Sequence, residues 1–303
     1  MPTLKDIQLK ISSVKKTQQI TKAMNMVATS RLRGAQQNMD AFRPYAGKFG
    51  EVLGSLAERA GDEANPLLLP KAEVQNVHLV LFTSDRGLCG GFNASLIDAA
   101  EDLANARGGE GCTVSLTAFG KKGRDWARKF PGVDLDDEYI GVVGTKTGFN
   151  VAINAGRRLI DRFLAGTYDE VYFIYSRFVS MAQHAPTLKQ LLPIPAVHEE
   201  DAPETEGEAA AADAAFLPEH ICEPSAGQLL GDLLPRSVYV QIFDALLETS
   251  TSEHAARMMA MDNATKACKD MLERLTLTYN KARQAAVTAE LMDIVGGAEA
   301  LKG

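Results

Sequence analysis

The sixty residues from Arg236 to Val295 contain neither Gly nor Pro. As one helix they would run roughly 90 Å at 1.5 Å per residue, far beyond the three or four turns usual in a globular protein. Asp, Glu, Lys and Arg recur through the stretch as far as Asp293, so it cannot span a membrane. Apolar and small residues return on a seven-residue cycle at Val240, Phe243, Leu247, Met261, Ala264, Cys268, Met271, Leu275, Thr278, Ala282, Ala285, Ala289 and Met292. One polar gap interrupts them at Ser250, His254 and Arg257. That pattern predicts one arm of a coiled coil, with small residues admitting a partner helix closely.

The other arm is predicted at the opposite end of the chain. Thr3 to Arg43 lacks Pro and holds only Gly34. The same spacing runs through Leu4, Ile7, Ile11, Val14, Gln18, Thr21, Asn25, Ala28, Leu32, Ala35, Met39 and Phe42. Two such helices at the termini suggest an antiparallel hairpin rather than two members of an ordinary helical bundle. The C-terminal arm is too long for a 40-residue partner to cover, so part of it should project and be enclosed by another protein.

Between the arms, short Val-, Leu- and Phe-rich runs alternate with helical patterns, as in an open α/β sheet. Strands are expected at Val74–Thr83, Cys112–Phe119 and Glu170–Ser180, and helices at Ala94–Ala106, Lys121–Lys129 and Val151–Ala165. Pro44 and Pro235 should bend or break their helices. The fold class is therefore α/β: a long antiparallel coiled coil of N- and C-terminal helices plus a central Rossmann-like α/β domain. The expected divisions are 1–60 for the N-terminal helix, 70–197 for the α/β domain, 198–224 for an acidic loop and foot segment, and 225–303 for the C-terminal helix. Residues 198–215 are acidic, Ala-rich and nearly without large apolar side chains.

Composition narrows the function. A hydrophobic content of 46% with 23% charged residues fits a soluble protein with a core. Residues 1–34 carry seven Lys or Arg against Asp6 alone, within a net charge of −7. A basic helix can bind nucleic acid, but here the apolar stripe runs straight through the basic stretch, which favours a partner-facing or solvated face. No secretory signal or 18-residue apolar run occurs, so membrane association should be peripheral. Cys89, Cys112, Cys222 and Cys268 lie far apart, without metal-ligand spacing. They read as reduced thiols used for packing. The turn Ser84–Asn93 offers GxxGG, neither GxGxxG nor a Walker motif, so a nucleotide-dependent enzyme built on it is the weaker alternative. No HxxxH pair and no GxSxG elbow is present.

Four motifs point further. Ile20–Ala28, Ser84–Asn93, Glu253–Met258 and Tyr279–Ala285 with Thr288 and Glu290 together resemble the γ subunits of F-type ATP synthases. The resemblance runs from Lys5 to about Ala300. It implies a non-catalytic central stalk that needs no cofactor of its own. Its partners would be α and β subunits in an α3β3 hexamer, an ε subunit and a membrane ring of c subunits. It would reach the membrane only through that complex, at the cytoplasmic face of a bacterial inner membrane, and would bind no nucleic acid. By the same resemblance Lys22, Met24, Arg86, Cys89, Arg257, Arg283, Gln284, Thr288 and Glu290 match positions that contact β subunits. Phe216, Ile221, Cys222 and Glu223 would face the ε subunit or the ring. No closely spaced Cys pair exists, so thiol regulation of the chloroplast kind is not expected.

Overall fold

The computed structural model describes residues 3–60, 65–145, 147–181, 183–195 and 226–300. The chain divides into two compact units, Met1–Ser30 with Arg257–Gly303, and Arg31–Ala256. Helix α1 (Leu4–Ala60) and helix α5 (Ala226–Ala300) each contribute to both.

In the first unit α1 starts from a capping box. Thr3 Oγ1 donates to Asp6 Oδ2 at 2.8 Å, and the Asp6 N–H returns to Thr3 Oγ1 at 3.3 Å. The hydrogen bonds from Thr3 hold the Asp6 carboxyl below its ordinary range. The helices run antiparallel: Asn25 Nδ2 donates to the Met258 carbonyl at 2.9 Å, and Thr265 Oγ1 donates to Thr21 Oγ1 at 2.8 Å. The α1 seam is withdrawn from solvent at Leu4, Ile7, Ile11, Val14, Gln18, Thr21, Asn25 and Ala28, as the spacing predicts. On α5 the seam is Met261, Ala264 with Thr265, Cys268, Leu272, Leu275, Tyr279, Ala282 and Ala286. From Met271 onward alternate positions therefore fall one residue later than the pattern suggested, and Met271 is 53% exposed. Ala264–Thr265, Met271–Leu272, Thr278–Tyr279 and Ala285–Ala286 are adjacent pairs of which either member suits a seam, so spacing alone cannot choose between them.

The second unit is a three-layer α/β arrangement. Strands β1 (Asn76–Phe82), β2 (Thr113–Phe119), β3 (Val133–Tyr139), β4 (Glu170–Phe178) and β5 (His184–Leu192) form one sheet in the order β3-β2-β1-β4-β5. All neighbours pair parallel except β4 with β5. On one face α2 (Phe92–Gly109) packs Phe92, Leu96 and Ala100 against Leu79, Leu81 and Leu116, beside α3 (Lys121–Ala127). The other face carries α4 (Phe149–Leu164), Leu53 and Leu56 of α1, and Leu230, Leu234, Val238 and Ile242 of α5 against Val80, Phe82 and Phe173. Cover on both faces explains why β1 is apolar almost throughout.

Strands β3 and β5 are absent from the sequence-based expectation. Both are sheet edges, where burial is one-sided. β3 reads VDLDDEY, and β5 contains Pro186, which an edge tolerates. Neither helix proline breaks its helix. Pro44 and Pro235 lie inside continuous helices. An interior proline costs about 3 kcal/mol. Leu230 and Leu234 before Pro235, and Val238 and Ile242 after it, are all buried in one core. At roughly 1.5–3 kcal/mol each they outweigh that cost. Around Pro44, Phe42 meets Phe243 edge-on at 4.9 Å and Tyr45 at 5.5 Å.

Candidate functional site

A parallel sheet of this kind takes ligands in the crevice beyond the C-terminal strand ends where the strand order reverses, here between β1 and β4. The chain's own helix lies against that edge. The Ser176 N–H near the end of β4 donates to Thr249 Oγ1 at 3.4 Å, and Ser252 Oγ donates to the Ser176 carbonyl at 3.2 Å. The Gly144 N–H, from the loop after β3, donates to Ser250 Oγ at 3.0 Å. A side chain at Gly144 would meet the Glu253 carboxylate at 2.8 Å. Thr249 to His254 are all buried, with His254 Nδ1 3.0 Å from Glu253 Oε2. The TSTS run of Thr249–Ser252 is poor helix-forming sequence whose role is packing against strand ends, a role the seven-residue pattern recorded only as a gap.

The glycine turn after β1 spends its polar groups on itself. Ser84 Oγ donates to the Arg86 carbonyl at 2.5 Å, and the Ser84 N–H donates to Asn93 Oδ1 at 2.9 Å. Asn93 Nδ2 donates to Ser84 Oγ at 2.9 Å and lies 3.1 Å from Cys89 Sγ. Asp85 accepts the Lys121 N–H and the Gly141 N–H, each at 2.9 Å. Both oxygens of this carboxylate are thus committed to backbone N–H groups at the start of α3 and in the loop after β3. Filled crevice and committed carboxylate together disfavour the nucleotide-enzyme alternative.

Among the sequence-predicted contact residues of this unit, Arg86 is exposed, but Cys89 is 2% exposed and its thiol is enclosed with Ser84 and Asn93. The exposed apolar residue of the turn is Leu88, which the sequence did not single out.

Just before the Thr249–His254 run of α5, burial acts on two carboxyls one turn apart, Asp244 and Glu248. Glu248 lies 4.0 Å from Arg43, and its Oε2 is buried without a hydrogen-bond partner. Desolvation, reinforced by Asp244, pushes its carboxyl up to about 7 against the pull of Arg43, Arg177 and the Phe178 backbone. Desolvation also raises Asp244, against Arg43 and Lys189.

The first unit holds the other predicted residues. Lys22 is exposed beside a groove of about 470 Å³ that Gln18, Asn25, Asp262 and Thr265 also line. Met24 and Arg257 are half-buried. Arg283, Gln284, Thr288 and Glu290 are exposed, and Thr288 Oγ1 donates to the Gln284 carbonyl at 2.9 Å, leaving its lone pairs for a partner. From Val287 to Ala298 no residue is drawn from solvent. Val287, Leu291, Met292, Ile294 and Val295 are 49–67% exposed there. At helical spacing Arg283, Val287, Glu290 and Ile294 form one row, and Gln284, Thr288, Leu291 and Val295 the next. Phe216, Ile221, Cys222 and Glu223 lie outside the described residues, as does the acidic segment 198–215. Among the described residues no helix is long and apolar enough to cross a membrane.

A sequence profile described as ATP synthase matches residues 3–301. Over its full length the chain is 61% identical to the ATP synthase gamma chain of Desulfosudis oleivorans, and over the full length of both chains 51% identical to that of Nitratidesulfovibrio vulgaris strain Hildenborough. Among solved structures it is similar in fold to a chain of the Euglena gracilis mitochondrial ATP synthase, with TM-score 0.64 and 18% identity over 98% of this chain and 94% of that one. A chain from the central stalk and c-ring of the Tetrahymena thermophila mitochondrial ATP synthase gives TM-score 0.57 and 24% identity over 81% of this chain and 99% of that one.

Proposed function

The chain belongs to the ATP synthase gamma-chain family, and we propose that it is the central rotor shaft of an F-type ATP synthase. The ring of c subunits turns the shaft through its foot, with the ε subunit alongside. The shaft's unlike sides then bias the three β sites of an α3β3 hexamer toward different affinities. The chain itself is non-catalytic, and nucleotide chemistry belongs to its partners. It sits peripherally at the cytoplasmic face of the bacterial inner membrane. Lys22, Met24, Arg86, Arg257, Arg283, Gln284, Thr288 and Glu290 are the contacts to β subunits, with Cys89 supporting its turn from within. Phe216, Ile221, Cys222 and Glu223 are assigned to the foot.

The observation that carries this reading is the end of α5. Five large apolar side chains stand in water beyond the last seam residue, flanked by Arg283, Gln284, Thr288 and Glu290. Contiguous exposed apolar surface of that kind marks a partner-binding site. A sleeve of other subunits supplies the partner, and the polar rows supply exchangeable hydrogen bonds at its mouth. Exposed cations such as Lys22 suit a rotor, because surface ion pairs are weak enough to be released at each step.

The test is a tagged pull-down from mildly solubilised membranes, with stoichiometry read by native mass spectrometry. One copy of this chain with three α and three β subunits is the expected result. A free chain, or a homodimer lacking those partners, refutes the proposal. Within the complex, Met24→Lys should over-stabilise one contact and lower proton pumping per ATP hydrolysed, which vesicle acidification reads directly.

A further inference from the structure

The turn after β1 raises a question that its buried thiol sharpens. Cys89 matches a partner-contact position, yet it is 2% exposed. The side chain beside it is the reverse. Leu88 is 63% exposed and has φ +65, the one positive value among the described non-glycine residues. In that left-handed region the Cβ crowds the backbone, so leucine adopts it only when the surroundings impose it. They do so on both sides. Ser84 Oγ holds the Arg86 carbonyl, while Asn93 grips Ser84 and lies against the Cys89 thiol. The Phe92 N–H returns to the Cys89 carbonyl at 3.3 Å. Asp85 ties the same turn to Lys121 and Gly141.

A strained backbone, rigidly held, that lifts an apolar side chain into water gains nothing for this chain's own core. Glycine or asparagine would fit the conformation at lower cost. We propose that Leu88 is the anchor through which the turn engages the catalytic subunit, entering an apolar socket with an acidic rim. The rim follows from charge: Arg86, Lys121 and Lys122 are exposed around the turn, and Asp85 is already committed to two backbone N–H groups. This inference rests on the rotor reading and adds the residue that determines specificity at that contact. Cys89 serves it as a buried support.

Hydroxyl-radical footprinting with mass spectrometry compares oxidation of Leu88 in the free chain and in the assembled complex. Protection of about fivefold or more is expected, together with on the order of tenfold weaker retention of a Leu88→Asn chain by the complex, the fold-change for burying most of a leucine. The isolated Leu88→Asn chain should melt at the same temperature as the wild type or higher, because asparagine tolerates the left-handed backbone. Equal oxidation in both states, or a Leu88→Asn chain that melts lower, overturns the inference while leaving assembly intact. A wild-type chain that does not assemble at all overturns the rotor reading, and the anchor with it.

Discussion

Replacing Glu248 by Gln tests how much a buried charge costs the second unit. The Glu248 carboxyl is held up at about 7 against an ordinary 4.5, chiefly by desolvation. Its side chain is 11% exposed, so solvent does little to screen it. Between those two values the folded chain keeps a proton that the unfolded chain has released. Stability therefore falls as pH rises through that window, and the loss remains above it. At about 1.4 kcal/mol per pH unit the full span is worth roughly 3 kcal/mol, with the opposing pull of Arg43 already contained in the shift. Glutamine keeps the shape without the charge, so Glu248→Gln should be more stable than the wild type near pH 8 by up to about 3 kcal/mol. The gap should close near pH 5. His78, which burial pushes down to about 3, weakens both proteins alike on the acid side and cancels from the difference. Trp126, the chain's single tryptophan, lies in the second unit and reports urea unfolding there. A difference between the two proteins that stays constant with pH would refute the reasoning. So would a variant weaker than the wild type only near pH 8, since the Arg43 pair would then outweigh desolvation.

Two further perturbations have directions fixed by geometry. A Cβ on Gly156 of α4 would lie 2.4 Å from Tyr239 Cδ1, so Gly156→Ala should lower second-unit stability by about 1–3 kcal/mol in the same urea assay. In the first unit Thr265→Val removes the donor to Thr21 Oγ1, whose own proton stays on the Gln18 carbonyl at 3.0 Å, so it should cost no more than about 1 kcal/mol, and Thr21→Val should cost less in that background than alone. A double-mutant cycle followed by circular dichroism checks the sign.

What the sequence disclosed, and what it hid, depended on how many alternatives each residue left. The α1 seam was legible residue by residue, because Ile7, Ile11 and Val14 stand among Lys and Gln and admit one face. On α5, pairs such as Met271–Leu272 left two faces open, and packing against α1 selected the later. The central strands announced themselves through two-sided burial, whereas β3 and β5 carry the acids and proline that an edge permits. Of the candidate contact residues, Arg86, Arg283, Gln284, Thr288 and Glu290 are exposed. The burial of Cys89 agrees with its reading as a packing thiol, and Asn93 and Ser84 folding over it are the reason. Leu88 left no signal, because a left-handed leucine is a property of the closed turn.

The contact between Ser176 and Thr249 has a consequence for synthesis. These residues are 73 positions apart, and Ser252 lies 76 beyond its own carbonyl acceptor on Ser176. A ribosome therefore releases all five strands before it releases the helix that closes their C-terminal edge and covers one face with Leu230, Leu234, Val238 and Ile242. The nascent sheet must wait, half-covered, with its apolar side open to chaperones or to neighbouring nascent chains. A fragment cut after β5 would be left in that waiting state for good. The α/β domain is continuous on paper only: its last walls are laid by residues of α5.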